Sequence, residues 1–147
     1  MSEQVLFHEV RDSGKAQALF FALLLQTSDQ QTLAAFAHEH RRKEGLTGIP
    51  TPGHRFHLSL HAIGNYSELP DRVTRACTEA AVSVHASAFA VAFDRTMTFQ
   101  IKRPANPFVL CASDGMMALE SLHRRLGQAL LRVGLGQHVA GVADVVG

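Results

Sequence analysis

A run of eight apolar residues at positions 18–25, Ala-Leu-Phe-Phe-Ala-Leu-Leu-Leu, constrains the fold of this chain more than any other feature. It is too short to cross a bilayer as a helix, which takes about 20 apolar residues. Arg11 and Lys15 precede it, as basic residues precede the apolar part of a signal peptide, but no small-x-small cleavage site follows. We therefore predict a strand buried on both faces, in a cytoplasmic protein that does not contact a membrane.

A helix is expected after this strand. Ser28 or Asp29 is a suitable N-terminal cap, and the basic residues at 41–43, followed by Gly45, are typical of a C-terminus. Apolar positions at the spacing i, i+3, i+4, i+7 predict one inner face, made of Leu33, Phe36, Ala37 and His40.

The rest of the chain predicts a mixture of helices and antiparallel strands. Further strands are expected at 54–62, broken by Gly64 and Asn65, at 88–93 and 96–101, joined near Asp94 and Arg95, and at 107–112. Helices are expected from near Pro70, with Val73, Ala76, Cys77 and Ala80 inside, and from Ser113 or Asp114, with Leu119, Leu122, Leu126, Ala129 and Val133 inside. A short tail at 138–146 is β-prone. This order predicts an α+β fold.

Composition limits the class of protein. A chain of 147 residues that is 46% hydrophobic and 18% charged is expected to form a single globular domain spanning 1–147. The net charge of +1 excludes the broad positive field that holds a long nucleic-acid duplex. Cys77 and Cys111 lie in apolar surroundings without Cys-x-x-Cys spacing, so we expect two free thiols.

The chain contains nine histidines, the side chain that titrates nearest to neutral pH. Strict alternation over 54–62 predicts that Arg55, His57, Ser59 and His61 share one face of a strand. A histidine and a hydroxyl two residues apart can serve phosphate chemistry, because the hydroxyl binds a phosphate oxygen while the imidazole moves a proton. The alternative is a half-exposed strand whose outer face is simply polar.

The context of this motif resembles the 2H phosphoesterase superfamily, and within it the bacterial 2'-5' RNA ligase, or RNA 2',3'-cyclic phosphodiesterase, family. The resemblance rests on Phe20-Phe21-Ala22-Leu23 in a first strand, His57-Leu58-Ser59-Leu60 before Gly64-Asn65-Tyr66, and a late helix containing Leu122-His123-Arg124-Arg125-Leu126. It implies a two-lobed α+β fold with antiparallel sheets and packed helices. It also implies two His-x-Ser/Thr motifs facing each other across a groove, and catalysis without metal or cofactor.

By this resemblance, His57 transfers a proton and Ser59 binds the phosphate, while Arg55 and His61 are candidate substrate-binding residues. The implied substrates are RNA 2',3'-cyclic phosphate ends or small cyclic nucleotides, in the direction of hydrolysis or ligation. One histidine would activate water or a hydroxyl, and the other would protonate the leaving ribose oxygen.

The second motif departs from the family pattern. It is expected just after the last helix and its glycine loop, where the only histidine is His138, and Ala140 stands in place of the serine or threonine. We expect that the chain ends or diverges before the usual motif, leaving the last strand or strands incomplete and a sheet edge open for self-association. The alternatives are a non-catalytic 2H-like domain that binds nucleotides or RNA ends, and a small interaction module in which the motif is coincidental.

Overall fold

A computed structural model of the chain describes residues 6–7, 16–98 and 108–136. The elements in these ranges are β1 (Leu6–Phe7), β2 (Gln17–Leu24), α1 (Thr27–Glu44), a 3-10 turn (Gly53–Arg55), β3 (His57–Tyr66), α2 (Asp71–Ser83), β4 (Ala92–Thr98), β5 (Phe108–Asp114) and α3 (Met116–Arg132). They form two antiparallel sheets, one with the order β1-β2-β3 and one containing β4 and β5. The prediction of an α+β fold is confirmed.

The apolar run forms β2, the central strand of the first sheet. Phe21 and Ala22 are completely buried although they point to opposite faces of the strand. The prediction of a strand buried on both faces is thus confirmed for its middle. Its end is more open, since Leu24 is exposed.

Helix α1 begins at Thr27 after Gln26, so the predicted caps Ser28 and Asp29 lie inside its first turn, and the helix does not bury the predicted inner face. Gly45 ends the helix in the left-handed conformation, with φ of 62°, and its N–H bonds to the carbonyl of Arg41. No residue of α1 is buried, and Phe36 is exposed. Of the predicted face, Leu33, Ala37 and His40 are half-buried. The periodicity does not reveal that this helix packs mainly on the short 3-10 turn rather than on a sheet.

Strand β3 begins and ends later than predicted. Residues Gly53–Arg55 form a 3-10 turn, because the Arg55 N–H bonds to the carbonyl of Pro52 and that of Phe56 bonds to Gly53. At the other end Gly64 does not break the strand. It pairs with Leu19, and the pairing continues to Tyr66 opposite Gln17.

The two amphipathic helices form the core with β2 and β3. In α2 the predicted stripe is buried at Val73, Cys77 and Ala80, with Ala76 partly buried against the same core. The predicted face of α3 is buried except for the partly buried Val133. The buried hydrophobic cluster consists of Leu19, Phe21, Leu60, Ile63, Val73, Cys77, Ala80, Leu119, Leu122, Leu126, Ala129, Leu130 and Leu135.

The second sheet differs from the prediction in the number and the bounds of its strands. Positions 88–91 are not in a strand, and β5 continues through Ser113 and Asp114, the expected caps of α3, which instead follows Gly115. A single strand, β4, replaces the two strands expected on either side of Asp94 and Arg95. The pairing register shifts between Phe93 and Arg95, so a bulge absorbs the polar residues that suggested a turn. Every residue of β4 is exposed. Positions 99–101 of the expected strand, and the tail at 138–146, lie outside the described residues.

Two further expectations concern cysteines and membranes. Cys77 and Cys111 are both free, as predicted. Within the described ranges, none of the helices combines the length and the apolar character needed to cross a membrane.

Candidate functional site

His57 is the first residue of β3, and its side chain is exposed. Its Nδ1 lies 2.8 Å from the carbonyl oxygen of Arg55. Because a carbonyl can only accept, Nδ1–H is the donor, and the lone pair of the neutral ring is on Nε2. The ring also contacts Phe20, with centroids 5.2 Å apart and a tilt of 41°. The strand thus presents an oriented imidazole whose Nε2 is suited to accept a proton.

Ser59 lies two residues further along β3 and is half-buried. It pairs with Ala22, while His57 pairs with Leu24. Strand periodicity places the two side chains on one face with Cα atoms roughly 6–7 Å apart. The intervening Leu58 packs against the core, which confirms that His57 and Ser59 face the other way. The structure therefore brings these two predicted residues together.

His61 does not join them, and the prediction that it shares their face is wrong. Ala22 pairs with Ser59 and Phe21 pairs with His61, so Leu60 is an extra residue on β3. This bulge resets the alternation, and Leu60 and His61 are both buried, with His61 only 1% exposed. A side chain buried in this way offers no surface to a substrate.

His61 instead contacts a histidine that the sequence did not single out as functional. Its ring stacks on that of His123 in α3, with centroids 3.9 Å apart and an interplanar angle of 21°. Its Nε2–H donates to the His123 carbonyl at 2.9 Å. Burial lowers the pKa of His61, and the bond to the backbone carbonyl only partly opposes this effect. Position 123 follows the i, i+4 spacing from the buried Leu119, so helical periodicity could have placed it inside.

Arg55 does not lie on β3. It is the last residue of the 3-10 turn, and its side chain is exposed. Arg55 contributes to the site through its backbone carbonyl, which accepts the hydrogen bond that orients the His57 ring. The alternating strand from position 54 onward is therefore wrong, because the turn hydrogen bonds occupy its first part.

The basic cluster at the end of α1 is largely engaged within its own helix and loop. Arg42 and Lys43 both pair with Glu39, at 2.7 and 3.4 Å. Arg41 donates from Nε to the carbonyl of Gly48 at 2.7 Å. The basic side chains at this helix end are therefore partnered locally, two of them by the one carboxylate of Glu39.

His138, the residue expected to supply the second half of the site, lies outside the described residues. Within 6–7, 16–98 and 108–136, no group of three or more His, Cys, Asp or Glu side chains is arranged to hold a metal ion.

No protein-family model matches the sequence, and comparison with curated proteins and with solved structures finds no similar chain. The candidate site is thus defined by geometry alone, and it consists of His57, Ser59 and the backbone carbonyl of Arg55.

Proposed function

We propose that this protein is a phosphoesterase of the 2H type, with the two-lobed fold of the 2'-5' RNA ligase family. Its substrates would be 2',3'-cyclic phosphates at RNA ends or on small nucleotides. The observation that carries the proposal is the oriented His57, whose exposed imidazole has its Nδ1 bound to a carbonyl, with Ser59 on the same face of β3.

In the proposed hydrolysis, a water molecule attacks the phosphorus. As the water oxygen bonds to phosphorus, Nε2 of His57 accepts a proton from the water. The bond from phosphorus to one ribose oxygen breaks, and that oxygen takes a proton from a general acid. The cyclic diester and water are thereby converted to a phosphomonoester and a free ribose hydroxyl. Ser59 donates its O–H to a non-bridging phosphate oxygen. His138 is the candidate for the acid, through the family resemblance alone.

The resemblance further implies that the reaction needs no metal ion. The ligase direction would use the same groups with an RNA hydroxyl in place of water. The groups named here support general acid–base catalysis, which typically contributes about 10²–10⁴-fold to a rate.

The test is hydrolysis of a nucleoside 2',3'-cyclic phosphate in EDTA by the wild type, His57→Ala and His54→Ala. His54 is an exposed histidine in the 3-10 turn, so it is a matched control for the loss of an imidazole. We expect His57→Ala to lose about 10²–10⁴-fold in rate and His54→Ala to retain the wild-type rate.

The other outcomes are equally informative. A wild-type rate no higher than that of His57→Ala would reject the enzyme. Nucleotide binding without turnover, measured by chemical-shift changes at His57, would identify the non-catalytic binding domain instead. Activity that EDTA abolishes would contradict the metal-free mechanism.

A further inference from the structure

The outer face of β2, which points away from the hydrophobic core, lies beside the candidate site. Leu19 and Phe21 belong to the buried cluster of the core. Because side chains alternate along a strand, Phe20, Ala22 and Leu24 lie on the other face. Along this outer face Phe20 is half-buried and Leu24 is exposed, yet Ala22 between them is completely buried. A methyl group in the middle of an outward-facing row is buried only where larger side chains close over it.

The rings of Phe20 and His57 meet above this position. His57 pairs with Leu24, which is four residues along β2 from Phe20, and four residues of a strand span roughly 13 Å. The centroids of the two rings are nevertheless only 5.2 Å apart, with a tilt of 41° between the planes. The two side chains therefore lean towards each other along the sheet, across the pair formed by Ala22 and Ser59.

This contact restricts the His57 ring in a way that its hydrogen bond does not. A histidine side chain has two torsion angles, and both must be restricted to hold the ring in one place. The bond from Nδ1–H to the Arg55 carbonyl, at 2.8 Å, limits how the ring turns about its own axis. Contact with Phe20 limits the direction in which the side chain leans. Together the two contacts hold the imidazole on the side of β3 where the Ser59 hydroxyl lies.

We propose that Phe20 is a positioning residue of the candidate site, which holds the His57 ring over Ser59 so that both side chains reach one phosphate group. This assignment rests on the proposed phosphoesterase function. Catalytic side chains are effective when neighbouring side chains lock their rotamers. Phe20 supplies such a lock from the central strand of the sheet, and it acts through His57 rather than on the substrate.

The first test uses the free protein without substrate. In the wild type we expect nuclear Overhauser effects between the ring protons of Phe20 and His57, and three-bond couplings that report one χ1 rotamer for His57. Phe20→Leu keeps an apolar side chain but removes the ring, so the couplings should become averages over several rotamers. Phe20→Tyr keeps the ring and should retain the single rotamer. Phe89→Leu is the matched control, because Phe89 is also half-buried but packs against the core.

The second test is hydrolysis of a nucleoside 2',3'-cyclic phosphate by the same variants. We expect Phe20→Leu to lower kcat by up to about tenfold, the factor by which one aromatic contact shifts an equilibrium. The KM should change little, because the Ser59 hydroxyl still binds the phosphate. Phe20→Tyr and Phe89→Leu should retain the wild-type kcat. A role for Phe20 in folding alone would change neither the His57 couplings nor kcat per folded molecule.

Two results would overturn the assignment of Phe20. One is a single His57 rotamer in Phe20→Leu, and the other is a kcat for this variant equal to that of an active wild type. Failure of the proposed function has a different signature, since the wild type would then hydrolyse no cyclic phosphate. In that case the NMR comparison alone decides whether Phe20 holds the His57 ring.

Discussion

At the scale of single residues, two glycines with similar backbone conformations have very different surroundings. Gly45 has φ of 62° and Gly115 has φ of 83°, both in the left-handed region. A Cβ at Gly45 would meet nothing within 4 Å, whereas one at Gly115 would overlap the carbonyl oxygen of Ala90 and lie 2.9 Å from Val91 Cα. Only the second position therefore combines backbone strain with a collision.

We predict that Gly115→Ala destabilises the protein by about 3 kcal/mol and Gly45→Ala by about 1 kcal/mol. The left-handed conformation costs a residue with a Cβ about 1–2 kcal/mol, and the collision adds about 1–3 kcal/mol. Equilibrium urea unfolding of the two variants and the wild type measures both changes. Equal losses would show that the loop around Ala90 moves freely to accommodate the new methyl group.

The residues of the candidate site show what a sequence can predict. His57 and Ser59 are found together because a period of two is a local property of any strand. His61 is misplaced because the bulge at Leu60 arises from pairing with β2, and a single strand does not reveal its register. Stacking of His61 on His123 joins residues far apart in sequence, so periodicity could predict that His123 is inside but not which side chain it meets.

At the scale of elements, α1 differs from α2 and α3 in how it is attached. It contributes no buried residue, and its link to β5 is a column of rings in which His40 lies between Phe36 and Phe108. The centroid distances are 5.6 Å to Phe36 and 4.8 Å to Phe108. Helix α1 should therefore open locally without unfolding of the core.

We predict that His40→Ala increases the amide exchange rates of α1 by up to about tenfold, since an aromatic pair contributes about 0.5–1.5 kcal/mol. The rates in α2 and α3 should not change. His38→Ala is the matched control, because His38 is exposed on the same helix and lies outside the column. Exchange that rises equally in all three helices would show that α1 is part of the cooperative core.

The elements were predicted more accurately than their ends. Amphipathic spacing located α2 and α3 because their apolar faces are buried against the sheet. The predicted start of β3 and the predicted break between strands at Asp94 were both wrong, and for the same reason. Hydrogen bonds to neighbouring segments decide where a strand continues, and turn-forming residues are tolerated where the ladder has a bulge.

At the scale of the whole molecule, the described residues leave sheet edges without a partner strand. Strand β3 pairs with β2 alone and β4 pairs with β5 alone within these ranges. All of β4 is exposed, including Phe93 and Met97. An exposed edge strand that presents apolar side chains such as these is a template for pairing with another chain, so we propose that the protein self-associates through β4.

We predict that the average mass measured by light scattering rises with protein concentration for the wild type and stays at that of the monomer for Met97→Lys. A lysine on an edge strand opposes pairing through its charge and the cost of its desolvation. Met117→Lys is the matched control, because Met117 is 87% exposed on α3, away from β4, compared with 44% for Met97. A wild type that is monomeric at every concentration would reject self-association, and an equal effect of both substitutions would place the contact elsewhere than β4.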